Sequence, residues 1–224
     1  MKKMKDVLPC SKNESAIYVE VMKEKLLPDV ARLHLEVFEE YMNARLGTAY
    51  VKAMLNWFYR TEDTIALVAT DIDSNVIGYV VGAPVGYSKF ISRDLFWAAF
   101  VSMAYRPWLF FDMRFPRAAL ARLKLFLGRS FDHQVEPDLP TPTMSLVSIG
   151  VSPSARRKKV GQCLVKAFEA RSRRLEMRSL RLSVYPSNMS ARRFYQRCGW
   201  QAFSGPLRET GEMYYYRVFA QEMG

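Results

Sequence analysis

The sequence predicts a single domain of the α+β class (α/β mixed) that occupies residues 1–224. Three observations support this prediction. The length and the composition, with 50% hydrophobic and 25% charged residues, are typical of one globular domain with a sizeable core. Runs with strand-like alternation are interleaved with amphipathic helical patterns. The C-terminal part follows the order strand, loop, helix, strand, helix, strand.

The N-terminal half is predicted to run in the order β, α, α, β, β. Residues 17–22 alternate apolar and polar side chains, as a half-buried strand does. Two amphipathic helices follow, one from Pro28, which suits a first helical turn, and one over 48–60. The apolar runs 64–70 and 76–84 are joined by the polar turn DIDSN and predict a β-hairpin.

A helical insertion is predicted at about 88–133, before the C-terminal block. Between 88 and 130 there are eight Lys or Arg and two Asp, so eight minus two gives +6 of the chain's net +11. The apolar run 95–111 is interrupted by Arg106 and Pro107, and it is shorter than the roughly 20 residues of a membrane span. The sequence therefore argues against a transmembrane helix.

The C-terminal block begins with a predicted strand at 144–151. A helix over 160–178, a strand at 180–184, a short helix at 190–198 and a last strand at 211–220 follow in order. Short connections join these elements, which favours one compact unit.

The loop SARRKKVGQ lies between the first of these strands and a helix N-terminus. Such a terminus offers unpaired N–H donors and a partial positive charge, which suit a pyrophosphate group. Four consecutive basic residues, Arg156, Arg157, Lys158 and Lys159, add charge that can hold a diphosphate or a ribose phosphate. Taken alone, such a run is also typical of a solvated face or a nucleic-acid patch.

Two motifs resemble the signature of the GNAT superfamily of N-acetyltransferases. VSPSARRKKVGQ follows the family order V-x-P and then Q/R-x-x-G-x-G/A, with Arg156 and Gly161 in the outer positions. Lys159 replaces the first glycine, so the resemblance implies a strained backbone at Lys159 or an altered loop. NMSARRFYQRCGW follows N-x-x-A-x-x-x-Y and the G-F or G-W step. Its matching residues are Asn188, Ala191, Tyr195, Gly199 and Trp200.

The resemblance covers about sixty residues and implies a CoA-binding core at 144–203. It implies a mixed, mostly antiparallel central sheet with flanking helices, in which strand 144–151 splays from 180–184. Exposed backbone groups near Ile149 and Val151 would pair with the pantetheine arm of acetyl-CoA or another acyl-CoA, which acts as co-substrate; no metal is implied. The residues implied to bind this co-substrate are Ile149, Gly150, Val151, Arg156, Arg157, Lys158, Lys159, Val160, Gly161, Gln162 and Asn188.

The implied activity is that of an N-acyltransferase that moves an acetyl group to an amine on a small-molecule or sugar-like acceptor. Attack is direct, so no covalent enzyme intermediate is needed. Tyr195 matches the family's general acid, which protonates the departing thiolate. The base is open, because strand 144–151 carries only serines where many relatives place a carboxylate. The candidates are Ser145, Ser148, Glu39, Glu40, Glu136, Asp138 and a water chain.

Two other functions stay open. One is a longer-chain N-acyltransferase of the N-acyl amino acid type, for which the aromatic segment 88–133 could supply the pocket. The other is a non-catalytic module that binds acyl-CoA or nucleic acid, favoured by Lys159 and the missing strand carboxylate. Nucleic acid is not the expected partner, because no recognised nucleic-acid-binding motif accompanies the charge.

The insertion itself allows three roles. Its aromatic residues can close over the core or over the partner in a homodimer, or they can form a lid over the acceptor. Its basic face at 88–130 can also make a peripheral membrane contact with an anionic leaflet. An odd number of cysteines and the lack of an apolar stretch after the basic N-terminus predict a cytoplasmic location, with the inner face of a membrane as the alternative.

Overall fold

The computed structural model describes residues 8–9, 17–39, 42–105, 137–208 and 211–220. The strands are β1 (Leu8–Pro9), β2 (Tyr18–Val21), β3 (Ile65–Thr70), β4 (Val76–Pro84), β5 (Thr143–Val151), β6 (Ser179–Val184), β7 (Gln201–Ala202) and β8 (Met213–Val218). The α-helices are α1 (Leu27–Val37), α2 (Met42–Arg45), α3 (Thr48–Arg60), α4 (Tyr87–Asp94), α5 (Phe96–Ala104), α6 (Val160–Arg174) and α7 (Met189–Arg197). Short 3-10 turns lie at Glu24–Leu26 and Pro153–Ala155.

The strands form one eight-stranded sheet in the order β1-β2-β3-β4-β5-β6-β8-β7. Every neighbouring pair is antiparallel except β5 and β6, which are parallel. The predicted α+β class and the mostly antiparallel sheet are therefore confirmed. All six residues of β3 are buried, as expected for an inner strand that is covered on both faces.

The sheet separates two hydrophobic cores. On one face, which we call the α6 face, α6 and α7 bury apolar residues that include Leu164, Phe168 and Trp200. On the other, the α1 face, α1 and α3 bury residues that include Val30 and Leu55. In α3 the buried positions recur three or four residues apart, at Tyr50, Val51, Met54, Leu55 and Phe58, because this spacing puts them on one side of a helix.

Part of the predicted helical insertion is described. Residues 87–94 and 96–104 are helical, and residues 106–133, which include Arg106 and Pro107, lie outside the described residues. α5 exposes Trp97 and Phe100 to solvent. In the described part of the chain, no helix combines the length and the apolar character that crossing a membrane requires.

Two details differ from the sequence predictions. The helix predicted over 160–178 ends at Arg174, because Glu176 adopts a left-handed conformation (φ 57°) and the Met177 N–H donates to the Ser172 carbonyl at 3.1 Å. This is a helix-ending motif that usually carries glycine. The cysteines also differ from the reduced state that the predicted cytoplasmic location implies, because Cys163 is disulfide-bonded, whereas Cys198 is a free thiol.

Candidate active site

β5 and β6 separate to open a gap in the middle of the sheet. Their parallel pairing joins three residue pairs and ends at Ser145 and Arg181, whereas β4 continues to pair with β5 as far as Val151. A register shift opposite Val81 and Gly82 leaves Val147 as an extra residue in β5. Such a bulge bends a strand and increases its twist, in keeping with the departure of β5 from β6. The predicted splay is confirmed.

The gap exposes one edge of β5. The Ser152 N–H donates to the Ile77 carbonyl at 3.0 Å, so this residue faces β4. Successive residues of a strand direct their N–H and C=O groups to alternate sides, so Gly150 also faces β4. Ile149 and Val151 direct their backbone groups into the gap, where none of the described strands pairs with them. They form an open edge that can accept another extended chain.

The N-terminus of α6 follows directly after this edge. Lys159 is its N-cap, and the Lys159 side chain makes no capping hydrogen bond. The first helical bond runs from the Cys163 N–H to the Lys159 carbonyl at 3.1 Å, so the N–H groups of residues 160–162 have no partner within the helix. The α6 N-terminus is thus open toward the basic loop.

The basic loop has a strained backbone. Arg157 and Lys159 have φ of 68° and 63°, in the left-handed region that favours glycine. The strained angle that was one of the two expectations for Lys159 is confirmed. Arg156, Arg157, Lys158 and Lys159 are all exposed. Four cations therefore surround an uncapped helix N-terminus.

The two sequence motifs meet in the structure. A Cβ atom at Gly161 would lie 3.2 Å from two ring carbons of Phe194, so Gly161 lets the start of α6 pack closely on α7. Asn188 is the N-cap of α7, and its Oδ1 accepts a hydrogen bond from the Ala191 N–H at 3.0 Å. The structure gives Asn188 this capping role, and its cofactor contact stays a prediction.

The predicted cofactor residues fall into three places. Ile149, Gly150 and Val151 lie at the end of β5, and the basic residues lie in the loop after it. The range 160–162 is the first turn of α6, with Val160 buried and Gly161 and Gln162 half-buried. Apart from Asn188, these residues form one continuous stretch from the open strand edge to the helix N-terminus.

Tyr195 lies in the core of the α6 face. Its residue exposure is 6%, and its ring centroid is 5.9 Å from that of Trp200 and 6.2 Å from that of Tyr215. Tyr215 pairs with Leu182 of β6, the strand that borders the gap. Aromatic packing therefore holds Tyr195 over the β6 side of the sheet.

A chain of three hydrogen-bonded side chains, which was not predicted from the sequence, lies on the α1 face. His34 Nδ1 is 2.5 Å from the Tyr79 hydroxyl, which is 2.8 Å from Ser148 Oγ. A Cβ atom at Gly150 would lie 2.6 Å from the Tyr79 ring, so this glycine makes room for Tyr79. One signal was available: Tyr79 stands in an apolar strand, and a buried phenol needs a partner.

Burial sets the protonation of this chain. His34 is 4% exposed, its Nε2 has no hydrogen-bond partner, and burial lowers the pKa of the imidazole to about 4. Burial raises the pKa of Tyr79. The hydrogen bond with Ser148 lowers this pKa, but by less than burial raises it. At neutral pH the chain is therefore an uncharged imidazole, phenol and hydroxyl that ends beside the gap.

Two of the four carboxylates considered as bases lie in the described part of the chain. Glu39 and Asp138 are exposed, and Glu40 and Glu136 lie outside the described residues. Ser145 lies on β5 at the closed end of the gap. Within the described ranges, no three His, Cys, Asp or Glu side chains form a group that could hold a metal ion.

His34 is expected to make the fold sensitive to mild acid. The pKa of His34 in the folded protein is about 4, whereas the usual value for histidine is 6.5. The unfolded chain therefore takes up the proton first, and the free energy of unfolding falls as the pH drops from about 6.5 to 4, by about 3 kcal/mol. In urea unfolding across this range, His34→Gln should remove this part of the pH dependence. His133→Gln, which changes the other histidine, is the control; equal slopes for both variants would contradict the assignment.

Comparison with known proteins supports the family resemblance. Residues 118–200 match the model of the Acetyltransferase (GNAT) family. The fold is similar to that of the paiA N-acetyltransferase from Thermoplasma acidophilum in complex with coenzyme A, with a TM-score of 0.56, 11% identity and coverage of 91% of this chain and 99% of that chain. No protein of curated function matches the sequence.

Two further solved structures have the same fold. For the aminoglycoside N-acetyltransferase AAC(6')-Iy in complex with CoA, the TM-score is 0.59 at 13% identity, with coverage of 88% of this chain and 96% of that chain. For a variant of the SpeG spermidine N-acetyltransferase from Vibrio cholerae, it is 0.55 at 14% identity, with coverage of 90% and 93%. The family match contains both sequence motifs, and the fold is similar to that of these three N-acetyltransferases.

Proposed function

We propose that the protein transfers an acetyl group from acetyl-CoA to a primary amine of a small-molecule acceptor. One observation carries the proposal: the open edge of β5 leads directly to an uncapped helix N-terminus surrounded by four cations. A strand edge suits the amides of a pantetheine arm, and a helix N-terminus suits a pyrophosphate. Two proteins of the same fold were crystallised with CoA.

Each part of this stretch has a separate role in the proposal. The backbone of Ile149 and Val151 pairs with the pantetheine amides, while Gly150 keeps β5 attached to β4. The N–H groups of residues 160–162 bind the pyrophosphate. The cationic side chains of residues 156–159 attract the phosphates, and this attraction does not require a fixed orientation of the side chains. Gly161 keeps the start of α6 close to α7.

The proposed reaction is a direct attack in the gap. The acceptor nitrogen forms a bond to the thioester carbonyl carbon, the C–S bond breaks, and the thiolate takes a proton from Tyr195. A thiol of pKa about 8.5 is a tolerable leaving group, so this acid assists the reaction and is not indispensable. The amine must arrive unprotonated or lose its proton before it attacks.

The chain His34–Tyr79–Ser148 is too weak a base to take that proton. An alkylammonium has a pKa of about 10, and burial lowers the pKa of His34 to about 4. Moving a proton between them costs about 8 kcal/mol. In the proposed mechanism the chain therefore orients the amine through Ser148, and the proton leaves through water.

An exposed aromatic face favours a second candidate, transfer of a longer acyl chain. Phe96, Trp97 and Phe100 of α5 pack edge to face with ring centroids 5.6 and 5.9 Å apart, and they are 39%, 70% and 55% exposed. Such a surface suits an acyl chain. Replacing acetyl-CoA with octanoyl-CoA in the transfer assay separates the candidates: faster transfer of the octanoyl group would favour the second.

The proposal predicts that charge in the basic loop controls cofactor affinity. Arg156→Gln with Lys158→Gln should weaken acetyl-CoA binding by about 10- to 100-fold at low salt, and less at high salt, because two charge-assisted contacts to phosphate are lost. Isothermal titration calorimetry measures the affinity, and thiol release with a panel of amines measures transfer.

The matched control is Lys52→Gln with Lys166→Gln, which removes two exposed charges from α3 and from the middle of α6. It should keep the affinity within about threefold, because neither side chain belongs to the basic loop and exposed charges without a direct contact contribute little. Equal losses in both double variants, or a wild-type chain that binds no acetyl-CoA, would contradict the proposal.

A further inference from the structure

Tyr215 of β8 has a buried hydroxyl to which none of the described residues gives a hydrogen bond partner. Its residue exposure is 0%, and it belongs to the hydrophobic core of the α6 face. A hydroxyl that loses water on folding and gains no partner destabilises the fold, whereas a phenylalanine would bury the same ring without that cost. Such a group needs an explanation other than packing.

Strand register places Tyr215 level with the open part of the gap. The pairing of β6 with β5 ends at Arg181, so Leu182 is the first residue of β6 beyond that pairing. Tyr215 is the residue of β8 that pairs with Leu182, and both belong to the core of the α6 face. Side chains of a strand stand roughly perpendicular to the sheet. The Tyr215 ring therefore stands one strand away from the gap, where β5 and β6 separate.

A second phenol, that of Tyr195, packs against Tyr215 in this core. The two ring centroids are 6.2 Å apart, and the ring planes are inclined by 40°. Tyr195 also packs on Trp200, whose Nε1 donates to Glu169 Oε1 at 2.9 Å. The proton of a tyrosine hydroxyl can rotate about the C–O bond to suit an acceptor. A donor without a partner thus lies beside the proposed general acid.

The proposed acid step would gain from such a donor. A phenol has a usual pKa of about 10 and a thiol one of about 8.5, so at equilibrium the proton favours the phenol over the thiolate by about 30-fold. As the proton moves, negative charge leaves the sulfur and develops on the Tyr195 oxygen. Hydrogen bonds to charged groups are stronger than those to neutral groups, so a donor at this oxygen stabilises the phenolate more than the phenol. Such a bond lowers the barrier without strengthening substrate binding.

We propose that Tyr215 is a positioning residue whose hydroxyl donates a hydrogen bond to the Tyr195 oxygen while Tyr195 protonates the departing thiolate. The C–S bond breaks, the sulfur forms an S–H bond with the Tyr195 proton, and Tyr215 keeps its own proton. Tyr195 regains a proton from water after the products leave. The inference rests on the proposed function and adds a residue to its acid step.

Tyr215→Phe tests the proposal through two measurements that a structural role would not separate. The urea midpoint of the variant should not fall, because the substitution removes a buried hydroxyl without a partner. Its single-turnover rate of thiol release should fall by about tenfold, while the affinity for acetyl-CoA stays within about twofold. A lower urea midpoint, or an unchanged rate, would overturn the inference.

A double-mutant cycle shows whether Tyr215 acts through Tyr195. Combining Tyr215→Phe with Tyr195→Phe should give the same rate as Tyr195→Phe alone, because the oxygen that accepts the hydrogen bond is then absent. A thioester with a leaving group of lower pKa should reduce the effect of Tyr215→Phe. A further tenfold loss in the double variant would show that Tyr215 acts independently, and the inference would fail.

The control is Tyr216→Phe, which changes the next residue of β8. Tyr216 is half-buried, and alternation along the strand directs it to the opposite face, so its rate should stay within about twofold of wild type. Equal losses in both variants would contradict the assignment. A wild-type chain that releases no thiol with any amine contradicts the proposed function. Normal transfer by both the wild type and Tyr215→Phe contradicts this inference alone.

Discussion

Tyr195→Phe is expected to lower kcat by about 10- to 1000-fold, which is less than the roughly 100- to 10,000-fold typical of a general acid, because a thiolate is a tolerable leaving group. The substitution removes only the hydroxyl oxygen. The ring contacts with Trp200 and Tyr215 persist, so the position of α7 should not change. Affinity for acetyl-CoA should stay within about twofold, because the mutation removes a contact that matters for the departing thiolate and not for binding.

Steady-state and single-turnover kinetics with saturating acceptor measure this effect, and the single-turnover rate reports chemistry without product release. The control is Tyr59→Phe, which removes the hydroxyl of a half-buried tyrosine on α3 and should leave kcat unchanged. A thioester whose leaving group has a lower pKa should be less sensitive to Tyr195→Phe, because it needs less protonation. An unchanged rate in the single-turnover experiment would remove Tyr195 from the mechanism.

The features that the sequence could predict are local or belong to a motif. The left-handed backbone angle of Lys159 was predicted because lysine stands in a position where the family has glycine. The structure has this angle. The splay of β5 from β6 follows from the resemblance, and pairing does end at Ser145. Both features depend on residues within a short stretch of chain, which a pattern can describe.

The chain His34–Tyr79–Ser148 depends on contacts that are remote in sequence, 45 and 69 residues apart. Its geometry also requires the bulge at Val147, because one extra residue decides which face of the sheet Ser148 occupies. Alternation of apolar and polar residues does not reveal a bulge. The sequence therefore placed Ser148 among the candidate bases but did not predict its link to Tyr79 and His34.

The cluster formed by Arg208, Glu212 and Ser183 was missed for a different reason. Arg208 and Glu212 lie in a stretch that has the composition of a polar surface loop. They meet because the Arg208 N–H donates to the Glu212 carbonyl at 2.7 Å, in a turn where Gly211 has a φ of 82°. Ser183, on a strand 25 residues earlier, completes the cluster only after β6 and β8 have paired.

Glu169→Ala is expected to lower the free energy of unfolding by about 3 to 5 kcal/mol, because it leaves a partly buried arginine without its carboxylate. Glu169 of α6 is 6% exposed. Its Oε1 accepts from Trp200 Nε1 at 2.9 Å and from Arg217 Nη1 at 3.0 Å. The same Arg217 nitrogen donates to the Cys198 carbonyl at 2.8 Å. One carboxylate thus joins α6, the end of α7 and β8.

Urea unfolding of three variants tests this assignment. Glu62→Ala, an exposed carboxylate outside this network, should change stability by less than about 0.5 kcal/mol. Adding Arg217→Met to Glu169→Ala should recover part of the lost free energy of unfolding, because an apolar side chain at position 217 does not need a carboxylate partner. Additive losses in the double variant would show that the two residues act independently. Because the network anchors Trp200, against which Tyr195 packs, Glu169→Ala should also lose transferase activity at temperatures below its global unfolding.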